Sequence, residues 1–343
     1  MSADVLIRLE HGSGGALSRD LVETVIYPAF ASDAYAELSD ATSIASGSEL
    51  LLTTDGYVVD PPFFPGGDIG RLCVFGTCND LAVCGARAVS LSLAMVIEEG
   101  FPVSQLQRAL ASAAEAAREA GTRIITGDTK VVPRGKGGGL FLTTAGVGTR
   151  VFPHPLSPSA VRLGDAVIVS GPLGAHGITI LAARESLPVG DTLRSDAASL
   201  YPLTSALFPL GQSLHFMRDA TRGGVAAVLN EVAGSASLGA SGASWGIEVE
   251  EDEFPVNQDV RAICDLLGLN PLEIANEGVF VAFVAAEAAD KALEALRSLA
   301  LGSQSRVVGR VTSRNPGEVI MTTSIGGKRV LDFPRGLLLP RIC

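Results

Sequence analysis

The stretch Leu339-Pro340-Arg341-Ile342-Cys343 places a thiol at the last position of the sequence. Thiolates are strong nucleophiles and acyl acceptors. A thiol on such a segment is poorly placed to be packed from both sides, because terminal residues are the least tied down. Residue type and position together suit a swinging attachment point, loaded in one place and processed in another. The competing reading is an incidental free cysteine. After Phe333 the chain is rich in Pro and Leu, and ten extended residues there would reach about 33 Å.

Five aspartates are expected in loop-like settings directly after apolar runs. They are Asp40 (in LSDA), Asp55 (TTDG), Asp80 (TCND), Asp128 (TGDT) and Asp219 (RDAT). Hard cations such as Mg²⁺ take oxygen ligands, and carboxylates at strand ends are a common source of them. Two or three such groups can hold Mg²⁺ against phosphate oxygens and so offset the repulsion between an acidic protein and an anionic nucleotide. Any one of them can instead be a cap or turn residue. Asp219 could simply start the helix that contains Gly223 and Gly224, so the functional reading rests on the set.

Two glycine-rich stretches could approach phosphate closely, His11-Gly12-Ser13-Gly14-Gly15 and Gly135-Lys136-Gly137-Gly138-Gly139. Neither is a GxxxxGK[ST] loop or a GxGxxG fingerprint, and the second reads better as a mobile hairpin tip. Lys130 (in DTK) and Glu277 (in NEG) lie beside apolar runs, where the rim of a cleft can shift a pKa and permit proton transfer. For both, a surface salt bridge is the alternative.

These residues need a scaffold. The chain has 343 residues, 47% of them hydrophobic and 18% charged, which favours two domains with real cores. Aromatics are scarce at 5%, which suits small helices packed on sheets in an α/β or α+β arrangement. A net charge of −11 and the lack of any Lys/Arg-rich run argue against nucleic acid as a main partner. Cys73, Cys78 and Cys84 are spaced too widely for a CxxC zinc pair and read as small buried residues on a helix. Nothing resembles a signal peptide or a membrane span, so the expected location is the cytoplasm with reduced thiols.

Along the chain, strands are expected at 50–54, 89–97, 123–126 and 140–147. Helices are expected at 69–84, with helical spacing up to Gly85, and at 104–120, with Ser104 and Gln107 as a capping box. Pro153, Pro155 and Pro158 mark a boundary between the domains. The second half is expected to begin with a strand at 165–170 and continue through two or three helices. A strand at 280–284, a helix at 288–299 and two further strands up to Thr323 follow. The expected units are residues 1–152, residues 160–325 and a flexible tail at 326–343.

Taken together, HGSGG, TTDGYVV, GTCNDLAVCGA, TGDTKVV, RDATRGG, NEG and the closing PRIC resemble the HypE family of hydrogenase-maturation carbamoyl dehydratases. That family lies within the PurM-like superfamily of aminoimidazole ribonucleotide synthetases. The middle motifs are shared across the superfamily, whereas HGSGG with a closing PRIC points to this branch. The resemblance implies a two-domain PurM-like α/β fold. It also implies a homodimer that joins its N-terminal sheets, a C-terminal α/β sandwich domain, and ATP in the cleft between the domains. It further implies that a carbamoyltransferase, HypF, loads a carbamoyl group on Cys343, and that ATP then drives dehydration to an S-cyanide. The cyanide passes to iron on a HypC–HypD complex. By the same resemblance Gly12, Gly14, Gly15, Asp55, Asn79, Asp80 and Asp128 would contact nucleotide. Asp40, Asp55, Asp80, Asp128 and Asp219 would manage Mg²⁺, and Lys130 and Glu277 would orient the carboxamide or carry its protons. Where the superfamily shows Asp-Ala-Ala, this chain has Asp40-Ala41-Thr42, which puts the local geometry in question more than the ligand. Two other readings compete: another ATP-using PurM-like kinase or synthetase, and a non-enzymatic carrier with a C-terminal thiol.

Overall fold

The computed structural model describes residues 15–21, 23–24, 42–43, 49–187, 189–190, 192–236, 245–335, 339 and 342. In chain order the first half contains α1 (Ala16–Leu21), β1 (Thr42–Ser43), β2 (Leu50–Tyr57), β3 (Phe63–Phe64), β4 (Gly67–Asp68), α2 (Ile69–Val83), β5 (Ala86–Glu98), α3 (Val103–Glu119), β6 (Ile124–Val132) and β7 (Leu140–Arg150). Five of these strands form one sheet in the order β1-β2-β7-β5-β6. Its neighbours are antiparallel except β5 and β6, which run parallel and are joined through α3. That parallel pair leaves β6 as an edge strand.

Helix α2 is apolar on nearly every side, and only Arg71 and Asp80 of its fifteen residues escape burial. A helix of that character has to be covered all round. The first sheet lies on one side of it, α3 on another, and elements of the second half on a third. Asp68 starts it, its Oδ1 accepting from the backbone N–H groups of Gly70 and Arg71 at 2.9 and 3.0 Å. Small residues let α2 and α3 approach closely, since a Cβ on Gly70 would stand 1.9 Å from the Ala109 carbonyl oxygen. The buried face of α3 is Ala109, Ala113, Ala116 and Ala117.

The second half contains β8 (Ala166–Val169), α4 (Ala175–Arg184), α5 (Tyr201–Leu207), β9 (Leu214–Asp219), α6 (Gly224–Ala236), β10 (Gly246–Glu250), α7 (Gln258–Leu267), β11 (Phe280–Val284), α8 (Ala289–Arg297), β12 (Arg306–Thr312), β13 (Val319–Thr322) and β14 (Lys328–Val330). Seven strands form a second sheet in the order β14-β13-β10-β12-β8-β11-β9. Every residue of β8 and β11 is buried, so this sheet is covered on both faces. Alternation along β11 sends Phe280, Ala282 and Val284 to one core and Val281 and Phe283 to another. The first of those cores also holds Leu51, Tyr57, Leu72, Phe75 and Leu81. One apolar cluster therefore runs from the first sheet through α2 into the second. Phe152 and Leu156, in the proline-marked connection, are buried in it too.

Several local expectations are corrected by tertiary context. The capping box at Ser104 does not form: α3 starts at Val103 behind Pro102, with no side-chain cap bond. The strand expected at 123–126 continues to Val132, because β5 offers it a ladder as far as Glu98. Asp55 and Asp128 therefore lie within strands, Asp80 within a helix, and Asp219 closes β9 rather than opening α6. The 135–139 glycines do not form a hairpin tip, since β5 lies between β6 and β7. The Glu98 carboxylate accepts N–H bonds from Gly135 and Gly139 there, which holds it below its usual pKa. Near its end the tail is docked at Leu339 and Ile342. Leu339 packs against the core, and Ile342 is buried and bridges antiparallel to Val59, because apolar side chains gain by burial and the segment after β2 supplies a backbone partner. Among the described residues no helix is long and apolar enough to cross a membrane.

Replacing Gly70 with Ala should force α2 and α3 apart and lower stability by about 1–3 kcal/mol, the usual range for overpacking. The denaturant midpoint of the purified protein would report it, and an unchanged midpoint would contradict the close approach.

Candidate functional site

Strand β2 carries Thr53, Asp55 and Tyr57, and α2 presents Asn79 and Asp80 beside it. The Thr53 hydroxyl donates to Asp80 Oδ2 at 2.7 Å, which sets the carboxylate against the strand. Tyr57 is fully buried, and its hydroxyl lies 3.1 Å from Thr77 Oγ1. Thr77 in turn bonds Thr144 on β7, which donates to the Cys73 carbonyl at 3.0 Å. Burial, with Asp55 and Asp80 nearby, keeps the Tyr57 phenol protonated well above its ordinary range.

Across from this edge lies the turn Asn276-Glu277-Gly278, which leads into β11. Two anchors hold it. The Asn276 amide donates to the Ala220 carbonyl at 2.8 Å, and its Oδ1 accepts from Gly174 N–H at 2.7 Å. The Asp196 carboxylate accepts from the N–H groups of Glu277 at 3.3 Å and Gly278 at 3.2 Å. Gly278 is required there, because a Cβ would stand 2.0 Å from the Asp196 carbonyl oxygen. Asn79 joins the two halves: its Nδ2 donates to the carbonyls of Ala198 at 3.0 Å and Glu277 at 3.4 Å, and its Oδ1 accepts from Leu200 N–H at 2.8 Å.

The turn is thus held with the Glu277 side chain buried among other acids. Burial raises its carboxyl well above the usual range, and Asp219, Asp55 and Asp196 push the same way against the weaker pull of Arg222. Burial likewise lifts Asp196 to about 6. A carboxyl so raised can accept a proton near neutral pH, where an ordinary glutamate is a weak base.

Asp55, Asn79, Asp80, Asp219 and Glu277 therefore meet at the junction of the two halves. Asp128 and Lys130 do not join them within one chain. They sit on β6, three strands from β2, which corresponds to about 14 Å at ordinary strand spacing. Both side chains are exposed and pair with each other at 2.8 Å, and that hydrogen bond holds Asp128 below its usual pKa. Gly15 lies at the start of α1, where its carbonyl accepts from Arg19 N–H at 3.1 Å. Gly12, Gly14, Asp40 and Cys343 lie outside the described residues. Asp196 carried no sequence signal, and Thr53 and Tyr57 none of their own, although both belong to the TTDGY stretch.

Among the described residues no group of three or more His, Cys, Asp or Glu side chains is close enough to hold a metal ion. The junction nevertheless offers hard oxygen donors at Asp55 and Asp80. Mg²⁺ keeps several waters and commonly takes one or two carboxylates plus phosphate oxygens, so the donor chemistry suits it.

Residues 33–150 match the AIR synthase related protein N-terminal domain, and residues 162–322 match the corresponding C-terminal domain. The carbamoyl dehydratase HypE of Rhizobium leguminosarum bv. viciae is 44% identical over 339 residues, covering 98% of this chain and 95% of the relative. The chain belongs to the HypE family. A HypE–HypF complex is similar in structure with a TM-score of 0.85 at 39% identity, covering 92% of this chain and 99% of the other. HypE in complex with ATP aligns with a TM-score of 0.81 at 40% identity, covering 98% of this chain and all (100%) of the other. The PurM-like two-part fold expected of a HypE-family chain is the one found.

Because Asn79 satisfies three backbone groups across the junction, Asn79→Ala should strand them in a buried setting and cost about 1–3 kcal/mol. Chemical denaturation would measure this, and a loss below about 0.5 kcal/mol would show that water replaces the amide there.

Proposed function

We propose that this chain uses ATP to dehydrate a carbamoyl group carried on Cys343 to an S-cyanide, the source of the cyanide ligand in [NiFe]-hydrogenase maturation. The observation that carries this reading is Glu277, a carboxyl raised by burial and by neighbouring acids, in the same junction where Ile342, the neighbour of Cys343, is docked. HypF, the partner in the similar complex, would load the thiol, and a HypC–HypD iron scaffold would receive the cyanide.

A carboxamide does not lose water readily, because oxide is a poor leaving group. Transfer of the γ-phosphoryl group of ATP to the carbonyl oxygen, with loss of one N–H proton, gives an S-imidoyl phosphate and ADP. Cleavage of the C–O bond then releases phosphate, and loss of the second N–H proton forms C≡N. Glu277 is assigned to take these protons. Lys130 is assigned to orienting the carboxamide or relaying its protons.

Nucleotide contacts are assigned to Asp55, Asn79, Asp80 and Asp128, with Gly12, Gly14 and Gly15 approaching the phosphates. Asp55 and Asp80 would hold Mg²⁺, with Asp40, Asp128 and Asp219 as further ligands. When bound, Mg²⁺ neutralises phosphate charge. We also assign a homodimer joined along the β6 edge, where Ile125 and Val131 are 61% and 68% exposed. That seam would contain Asp128 and Lys130 and would cover an otherwise open strand.

Whole-protein mass measurement tests the chemistry. With HypF, carbamoyl phosphate and ATP, the chain should gain about 43 Da and then lose about 18 Da as water leaves (from atomic masses, for acyl loading of a thiolate). Cys343→Ala should not load at all. Turnover that persists without Cys343 would favour a small-molecule kinase, and loading with no ATP-dependent water loss would favour a carrier.

Two variants address the residues. The water-loss step needs Glu277 deprotonated, so its rate should fall as pH drops through a pKa well above the ordinary carboxylate range. Glu277→Gln should lose that acid limb together with about 10²-fold or more of the rate. Lys130→Ala should still load but dehydrate about 10²-fold more slowly; an unchanged water-loss rate would remove Lys130 from the chemistry.

A further inference from the structure

His176, the second residue of α4, is buried beneath the docked tail and is used by none of the chemistry above. Its Nε2 lies 2.5 Å from the Ile342 carbonyl oxygen, and its Nδ1 lies 2.8 Å from Ser195 Oγ. The Ile342 carbonyl can only accept, so Nε2 carries the proton and Nδ1 accepts from the serine hydroxyl. Burial agrees with this neutral tautomer by lowering the imidazole pKa to about 4. Ser195 Oγ is itself positioned by the Ala197 N–H at 3.1 Å, and the Phe64 ring meets the imidazole edge-on at 5.6 Å.

The surroundings make this a built seat. Ile342 bridges Val59 just beyond β2 and is 5% exposed. Arg184, at the far end of α4, donates to the Asp60 carbonyl at 2.9 and 2.8 Å, which fastens the segment receiving Ile342 to the helix carrying His176. Leu339 reaches Gly177, where a side chain would come within 3.4 Å of its Cδ1. The backbone N–H of His176 also bonds the Asp196 carboxyl, the group that holds Glu277 and Gly278. One histidine thus touches the docked tail on one side and the support of the Glu277 turn on the other.

We propose that His176 is a positioning residue that latches the tail through the Ile342 carbonyl, holding the thiol-bearing end at the Glu277 junction for dehydration and freeing it for loading. The proposal rests on the dehydratase reading for its purpose, but the latch itself is a binding equilibrium that can be read without turnover. A carbonyl that loses a buried donor is stranded, so the docked state should weaken while the rest of α4 stays packed.

Thiol labelling of the full-length protein tests it. Cys73, Cys78, Cys84 and Cys264 are buried, so fast labelling reports Cys343. His176→Ala should label about tenfold faster than the parent, the change expected for the loss of one buried hydrogen bond. It should still accept carbamoyl from HypF, but lose water more slowly. His176→Gln, whose amide can donate to the same carbonyl, should restore slow labelling and most of the water-loss rate. Ile342→Ala leaves the histidine intact and should accelerate labelling as well, which covers the case in which His176→Ala folds poorly. Equal labelling rates in parent, His176→Ala and Ile342→Ala would overturn the latch even if dehydration proceeds. Faster labelling in the variants, with no ATP-dependent water loss in any of them, would leave the latch standing and overturn the dehydratase reading.

Discussion

The structure depends on burying acidic groups at the seam of two halves and holding them there with backbone N–H donors. Asp196 accepts from Glu277, Gly278 and His176, and Asn79 reaches across from α2 to the carbonyls of Ala198 and Glu277. Carboxyls this close repel one another, and burial penalises their charge. They stay because the turn between Asn276 and Gly278 cannot move without breaking bonds to α4, α2 and the end of β9. The proton affinity of Glu277 follows from that rigidity.

The apolar cluster shared by the two sheets serves the same end. Tyr57 and Leu81 on one side and Phe280 and Ala282 on the other belong to one continuous core. Relative movement of the halves would open that core, so it ties the two halves together at the junction. Acidic groups fixed in this way keep their mutual distances, and the proton affinities that follow from them, without reorganisation.

The tail follows a different rule. Near its end, Leu339 packs against the apolar clusters, and Ile342 is held by one imidazole and one backbone bridge. That is enough to order an end of chain but far less than anchors a core strand. A docked state of that modest depth suits the proposed exchange of the tail between loading and dehydration. Segments that move are drawn from the low-stability end of a fold for this reason.

Helix α2 and strand β11 were legible in the residues, because helical spacing of apolar residues running up to Gly85, and a five-residue apolar run, leave little choice. The identity of Cys343, Glu277 and the aspartates as candidates was legible too, through residue type and motif. Their settings were not: Asp55 and Asp128 looked like loop residues because their strand ladders come from partners distant in sequence, and only the tertiary structure sets Asp80 against Thr53 of β2. Nor could sequence separate Asp128 and Lys130 from Glu277, since strand order across the sheet decides that distance. Asp196 and His176 gave no local sign at all. Their roles arise from backbone N–H groups and a carbonyl up to 166 positions away, and only folding brings such groups within hydrogen-bond reach. Chemical type is thus written residue by residue, whereas proton affinity, pairing and the docking of the tail belong to the tertiary structure, because burial and neighbouring charge exist only once the chain has closed on itself.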